Sequence, residues 1–310
     1  METRKIGSLE ASVVGLGCNN FGRRLNAEQT AAVVYASLDA GINFFDTADV
    51  YGNGQSEEFI GRALGKQRRH EVIIATKFGN HMEGQGRGAS PAYVRQAAEA
   101  SLRRLGMDVI DLYQLHTPDP VVPIEDTLGA LHELVQAGLV REIGSSNFSA
   151  DQIRKAEAVS QSKHIPRFVS VQNEYNFFKR DPEYGVLAEC EHLGLAFLPY
   201  FPLASGLLTG KYRQGQPLPE GTRLSQSSSS YAAMITEHNL AIIESLIKFA
   251  EARKHTILEL SFAWLLARPS VASVIAGAMT PEQVHANAAA GDWELTSADI
   301  AELDGIIARV

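Results

Sequence analysis

Cysteine is almost absent from this chain of 310 residues: only Cys18 and Cys190 occur. Two cysteines cannot staple a fold of this size, and no metal-ligand spacing is present, which excludes a disulfide scaffold and a structural zinc module. No run of basic residues occurs either. Acidic residues outnumber basic ones, 36 to 28, for a formal net charge of −8. Such a chain has no stripe to track a phosphate backbone, so nucleic acid is excluded as a partner. The net charge itself reads as solubility. No apolar run is long enough to span a membrane, and residues 1–7 are polar, without the apolar stretch of a secretory leader. A reducing, cytoplasmic setting with no membrane partner is the expectation. Tryptophan is scarce as well. Trp264 falls in the apolar run 260–266 and reads as core, and Trp293 carries no assigned role.

What is present is hydrophobic residue at 45%, enough for one large core, and a regular alternation of short apolar runs with amphipathic stretches. Residues 4–14 contain a Gly-Ser turn signal and read as a hairpin. Eight candidate strands follow at 14–17, 43–47, 72–77, 110–116, 140–145, 168–172, 196–200 and 273–276. Helical stretches lie between them. Residues 27–40 follow Asn26, 91–105 follow Ser90 with Pro91 at the first helical position, and 150–159 follow Ser149. Gly41, Gly65, Gly106, Gly138, Gly194 and Gly291 stand just after helical runs, where a left-handed cap needs no Cβ. The alternation predicts an α/β chain, a (β/α)8 TIM barrel with an N-terminal hairpin and an extra C-terminal helix, as one domain over residues 1–310. An open doubly wound sheet is the alternative, but its Gly-x-Gly-x-x-Gly turn is incomplete here: Gly15-Leu16-Gly17 runs into Cys18-Asn19-Asn20. The segment 214–230, rich in Gly, Pro and Ser, is longer than an ordinary connection and reads as a lid or a solvated insertion.

In such a barrel, chemistry sits at the C-terminal ends of the strands. Asp46 ends the second strand, with Tyr51 in the loop beyond it; Lys77 ends the third and His116 the fourth. Singly, each has a structural explanation. Together, at corresponding ends of three consecutive strands, they form a chemical set. A tyrosine hydroxyl is a sluggish acid near neutrality, an ammonium beside it favours the phenolate, a carboxylate keeps the ammonium charged, and an imidazole orients a substrate oxygen. Such a set protonates a developing alkoxide as a hydride arrives at carbon, and it needs a hydride donor from outside the chain.

With these residues in view, the chain resembles the aldo-keto reductases. The matching stretches are Asp46-Thr47-Ala48-Asp49-Val50-Tyr51-Gly52 with Ser56-Glu57, Thr76-Lys77, and Leu112-Tyr113-Gln114-Leu115-His116. They continue through Gly144-Ser145-Ser146-Asn147-Phe148, Val171-Gln172-Asn173-Glu174-Tyr175, and Tyr200-Phe201-Pro202-Leu203-Ala204-Ser205-Gly206-Leu207-Leu208. The last are Gly277-Ala278, Pro281-Glu282-Gln283 and Asn287. The similarity runs in order over nearly the whole chain, and its details are most similar to the bacterial general reductases related to potassium-channel β subunits. The resemblance implies Tyr51 as general acid, Lys77 as its pKa-lowering partner, Asp46 as the anchor of Lys77 and His116 as the orienting group. It implies NADP, with NAD possible, as cofactor. Ser146, Asn147 and Gln172 would hold the carboxamide, and Tyr200 would stack on the nicotinamide ring. Phe201, Leu203, Ser205, Gly206 and Lys211 would line the pyrophosphate path. Gly277, Ala278, Met279, Gln283 and Asn287 would surround the adenosine, while Gly17, Cys18 and Asn19 would meet the nicotinamide ribose.

One departure bears on the cofactor. Members that use NADP usually carry a basic side chain near the 2′-phosphate, whereas residues 277–283 contain neither Lys nor Arg. The partner implied is a small-molecule aldehyde or ketone. Phe21, the serine-rich segment and the residues after His116 are expected to shape its pocket; His81 reads as a solvated loop residue. Two other functions are compatible with the same residues: a cofactor-binding regulatory subunit with little turnover, and a lyase using Lys77 as a Schiff-base nucleophile.

Overall fold

The computed structural model describes residues 1–220 and 232–308. Of the segment 214–230, residues 221–230 therefore lie outside the described residues. The chain opens on an antiparallel hairpin, β1 (Thr3–Ile6) and β2 (Leu9–Ser12). Eight parallel strands then close into a barrel: β3 (Val14–Gly17), β4 (Phe44–Asp46), β5 (Ile73–Phe78), β6 (Ile110–Leu115), β7 (Val140–Ser146), β8 (Ser170–Glu174), β9 (Ala196–Tyr200) and β10 (Val274–Gly277), with β10 pairing back to β3. The first six are each followed by one helix: α1 (Ala27–Asp39), α2 (Gln55–Arg68), α3 (Pro91–Leu105), α4 (Ile124–Gln136), α5 (Ala150–Lys163) and α6 (Val186–Leu193). Two helices, α7 (Glu237–Glu251) and α8 (Ile257–Leu266), precede β10; α9 (Pro281–Ala289) and the extra C-terminal helix α10 (Ser297–Ile307) follow it. Among the described residues, no helix is long and apolar enough to cross a membrane.

Both faces of the barrel strands are buried, so they read as continuous apolar runs rather than an alternation. The register still alternates in space. Phe44, Ile73, Ala75, Leu112, Ala196, Leu198 and Ile275 form one core cluster with Ile6, Leu9 and Ala11 of the hairpin. Their neighbours Phe45, Ile74, Tyr113, Phe197 and Val274 belong to the larger core beneath the helices. The hairpin thus plugs the N-terminal end of the barrel. It is pinned there by Ser8, whose N–H donates to Glu142 Oε1 at 2.8 Å.

The helix starts follow from their caps. Asn26, Ser90 and Ser149 each accept from the third residue of their helix, and Asn26 and Ser149 complete capping boxes with Gln29 and Gln152. Gly106 ends α3 in the left-handed region at φ 63°. Gly291 is different: it lies in a short 3-10 turn, and its requirement is space, because a Cβ there would lie 2.8 Å from Val14 Cγ2. Most boundaries differ from expectation by a residue, and two elements shift further. α5 extends to Lys163 rather than stopping at 159, its last turn being polar and solvent-facing, so that apolar periodicity had nothing to mark. β8 runs 170–174 rather than 168–172. Phe168 is apolar but packs edge-on against Phe148, and the ladder begins at Ser170 opposite Gly144.

Candidate active site

Steps of two along the strands carry the barrel interior from apolar or small residues to larger polar ones. Phe44 leads to Asp46, Ala75 to Lys77, Leu112 to Gln114 and then His116, Ser170 to Gln172, and Leu198 to Tyr200. All five end at the C-terminal mouth, opposite the hairpin. There a cavity of about 1040 Å³ opens, at the upper end of the range for small-molecule sites.

Lys77 lies beneath the cavity floor, fully buried. Its Nζ donates to Asp46 Oδ2 at 2.7 Å and to the Thr47 carbonyl at 2.8 Å, and it makes a long contact of 3.5 Å with Tyr51 Oη. Those contacts occupy the three donors of an ammonium. The second Asp46 oxygen accepts from Gln172 Nε2 at 2.8 Å and from Gln114 Nε2 at 3.4 Å. Burial opposes the Lys77 charge, but Asp46 and Tyr51 together raise its pKa above the ordinary value, so it stays an ammonium. Burial raises the pKa of Tyr51, and Lys77 pulls against it without cancelling it. Lys77 thus acts in the expected direction, by charge and by hydrogen bond, while desolvation of the phenol outweighs one ammonium at 3.5 Å. The His116 ring stands edge-on to Tyr51, with centroids 5.9 Å apart and planes at 81°. Burial, with help from Lys77, takes its pKa down to about 3, so the imidazole is neutral near pH 7. Cys18 is buried, and burial holds its thiol well above the usual range; it is a wall residue, not a nucleophile.

Beside this floor lies a polar shelf. Ser146 Oγ donates to the Gln172 carbonyl at 2.9 Å, and Asn147 Nδ2 donates to Ser146 Oγ at 3.1 Å and to the His116 carbonyl at 2.9 Å. Tyr200 Oη donates to Asn147 Oδ1 at 2.8 Å, which fixes the ring's tilt. Further along, Lys211 Nζ sits 3.3 Å from where a Cβ on Gly206 would be. At the far end, Thr280 caps α9 with Pro281 at its start, and the Met279 N–H donates to Gln283 Oε1 at 2.8 Å.

Among the described residues, seven non-glycine residues have positive φ, and five of them are Asn53, Asn147, Phe201, Ala204 and Ser205. Four of those line the cavity, and Ala204 lies between two that do. Each such conformation costs of order 1–3 kcal/mol outside helix caps, and strain of this kind gathers at ligand sites. A ring face at Tyr200, amides and a hydroxyl beside it, a lysine over a glycine and a helix start beyond form a donor set that fits a nicotinamide dinucleotide.

The cavity brings together Gly17, Cys18, Asn19, Asp46, Tyr51, His116, Ser146, Asn147, Gln172 and Tyr200, with Phe201, Leu203, Ser205, Gly206, Lys211, Gly277, Met279, Gln283 and Asn287. Ala278 does not belong: the chain alternates there, so Ala278 points into the core between Gly277 and Met279. Phe21 is likewise fully buried and absent from the lining. His81 is exposed, as anticipated. Sequence reasoning passed over Gln114, although its signal was present, two residues before His116 on the same inward register. It also passed over Arg23 and Arg24, which line the mouth from the β3–α1 loop.

A closed parallel barrel with this constellation at its C-terminal mouth defines a class of oxidoreductases, and sequence comparison gives the family directly. The chain belongs to the aldo/keto reductase family, whose profile matches residues 13–308. Among similar proteins is the aldo-keto reductase yakc [NADP(+)] of Schizosaccharomyces pombe, 35% identical over 97% of this chain and 90% of that one. Another is the aldo-keto reductase YhdN of Bacillus subtilis, 34% identical over 96% and 91%. A probable voltage-gated potassium channel subunit beta of Oryza sativa is 34% identical over 88% and 84%. Among solved structures, the glycerol dehydrogenase AKR11B4 of Gluconobacter oxydans superimposes with a TM-score of 0.85 at 31% identity, covering 99% of this chain and 95% of that one.

Proposed function

We propose that this protein is an NAD(P)H-dependent carbonyl reductase, with Tyr51 as the proton donor. The observation that carries the reading is the buried Asp46–Lys77 pair in contact with Tyr51, closed by a neutral His116, at the floor of a cavity large enough for a dinucleotide and a small carbonyl compound. A nicotinamide held by Tyr200, Ser146, Asn147 and Gln172 would supply the hydride. The chain's own residues do the rest. Asp46 and the Thr47 carbonyl hold Lys77 charged and aimed. Lys77 stabilises negative charge on Tyr51 Oη as its proton moves to the substrate oxygen. His116, uncharged, can orient that oxygen without competing as an acid. Gln114 and Gln172 hold Asp46 on its far side. Charge is thereby placed before the reaction begins, which is how such sites lower barriers.

The cofactor reading favours NADP, in keeping with the name of the fission yeast relative, but with a modest advantage over NAD. The stretch from Gly277 to Gln283 presents backbone amides, Thr280 and Gln283, and no cation. A Schiff-base lyase fits less well. A nucleophilic lysine needs a lowered pKa, and the pKa of Lys77 is raised, with its donors already engaged. The test is a panel of aldehydes and ketones with NADPH and NADH, followed at the nicotinamide absorbance. Turnover with either cofactor supports the reading. Tight cofactor binding with no turnover on any carbonyl would favour a regulatory role like that implied by the rice relative's name.

A further inference from the structure

Among the described arginines, Arg23 and Arg24 stand out by lacking a partner. Among the described residues, neither guanidinium makes a hydrogen bond or an ion pair, and both are exposed. Every other described arginine lies within 4.0 Å of a carboxylate, except Arg87, whose field reaches Asp119. An acidic chain with carboxylates to spare thus leaves two adjacent cations unneutralised, and both line the cavity mouth.

Their backbone is firmly held. The N–H groups of Arg23, Arg24 and Leu25 all donate to the Asn20 carbonyl, at 3.2, 2.8 and 3.0 Å, and Gly22 N–H donates to the Leu25 carbonyl at 3.0 Å. Phe21 and Leu25 on either side are buried anchors. The same loop is seated on the turn that carries the proton donor: a Cβ on Gly52 would lie 2.9 Å from the Phe21 carbonyl oxygen and 3.0 Å from Gly22 Cα. The two arginines therefore flank the Tyr51 side of the mouth. The pyrophosphate-type donors, with Lys211 beside Gly206, are a separate group on the β9–α7 connection.

The charge balance points the same way. Among the described residues, the charged side chains lining the cavity are Arg23, Arg24, Lys211 and Asp46, and Asp46 is neutralised by Lys77 beneath it. The mouth is therefore positive on a chain of net charge −8. A cleft lined by one sign of charge raises the local concentration of the opposite ion. Guanidinium groups match carboxylate and phosphate with paired, charge-assisted hydrogen bonds.

Building on the carbonyl-reductase reading, we infer that Arg23 and Arg24 form an anion-recognition site for the substrate, selecting aldehydes and ketones that carry a carboxylate or phosphate group. The reacting carbonyl meets Tyr51, and the anionic end lies outward against the two arginines.

The experiment compares benzaldehyde with 4-carboxybenzaldehyde, at saturating cofactor and low salt, using wild type, Arg23→Gln, Arg24→Gln, the double variant and Arg24→Glu. Wild type favours the carboxylated aldehyde. In the double variant the ratio of kcat/KM for carboxylated over neutral aldehyde falls about 10-fold, through KM, as the loss of a partly exposed charge-assisted contact predicts. Arg24→Glu lowers the ratio further, and added salt erodes the wild-type preference. An unchanged ratio overturns the inference, as does an equal loss on both aldehydes. A rise confined to the KM of the cofactor also overturns it, assigning the arginines to the dinucleotide. If wild type reduces neither aldehyde, nor any other carbonyl compound of the panel, the reductase reading fails separately. The anion site is then read by calorimetric titration with 4-carboxybenzaldehyde: weaker binding in the double variant supports it, and equal binding refutes it.

Discussion

Replacing Lys77 with Met keeps the apolar stem of a fully buried side chain and removes its charge. Asp46, itself almost wholly buried, then loses a partner at 2.7 Å. Breaking a buried ion pair from one side costs about 3–5 kcal/mol, because an uncompensated charge stays behind. Gln172 and Gln114 still donate to the second Asp46 oxygen, which places the loss toward the lower end. For a chain of this length the unfolding entropy is roughly 0.65 kcal/mol/K, so about 3 kcal/mol lowers the melting temperature by about 5 °C. The pH dependence has a definite sign. The folded pKa of Lys77 lies above its ordinary value, so its contribution to stability is complete below about pH 10.5 and is lost as pH rises through the folded value. Lys77→Met therefore loses that alkaline limb. Adding Asp46→Asn removes the stranded charge, so the double variant regains part of the stability and none of the turnover. Urea denaturation across pH, with initial rates on the same samples, checks all of this. A single variant within about 1 kcal/mol of wild type, or a double variant less stable than the single, would refute the picture of a tight buried pair.

Other consequences are as direct. Asp49 is buried with both carboxylate oxygens unpartnered, and burial, then repulsion from Glu57, raises its pKa to about 7. Its raised value means that stability is lost as pH climbs from about 4 through about 7, so Asp49→Asn should be more stable than wild type at pH 8 by about 2–4 kcal/mol, a gap that closes toward pH 4 in thermal melts. Gly61 packs α2 against α3, and a Cβ there would lie 2.3 Å from the Leu105 carbonyl oxygen, so Gly61→Ala should cost about 1–3 kcal/mol in denaturant titration. Met279→Arg places a cation at the far end of the cavity and should tighten NADPH by about 1.5–3 kcal/mol while leaving NADH nearly unchanged, read by fluorescence or calorimetric titration.

Much of the fold was legible because barrel strands and helices announce themselves locally. Asn26, Ser90 and Ser149 marked helix starts, and short apolar runs marked the strands. Boundaries failed where polarity hid structure, as in the last turn of α5, or where apolarity misled, as at Phe168. The polar residues that end the inward registers were visible as strand-end residues. Closure of the ring and the hairpin plug depend on pairings between distant segments, such as Gly277 with Gly17, and no local pattern encodes those. The pull of Lys77 on Tyr51 was readable from sequence, while the desolvation that outweighs it exists only once the cavity is built. The strained backbone at Asn53, Phe201 and Ser205 was equally invisible, since residue type alone does not reveal positive φ. Arg23 and Arg24 fall in no sequence motif, and only the seat of their loop on the Tyr51 turn marks them.

The central claim is that Tyr51 delivers the proton, and Tyr51→Phe tests it with one atom removed. The variant keeps the ring, the edge-on contact with His116 and the buried Asp46–Lys77 pair. Turnover on a good aldehyde should fall about 10²–10⁴-fold, the usual loss when general-acid help is removed. The dissociation constant for the reduced cofactor, titrated on the same protein, should stay within a factor of about two, since it reports ground-state binding that the hydroxyl does not make. Turnover close to wild type would contradict the account, and so would an equal loss of cofactor binding.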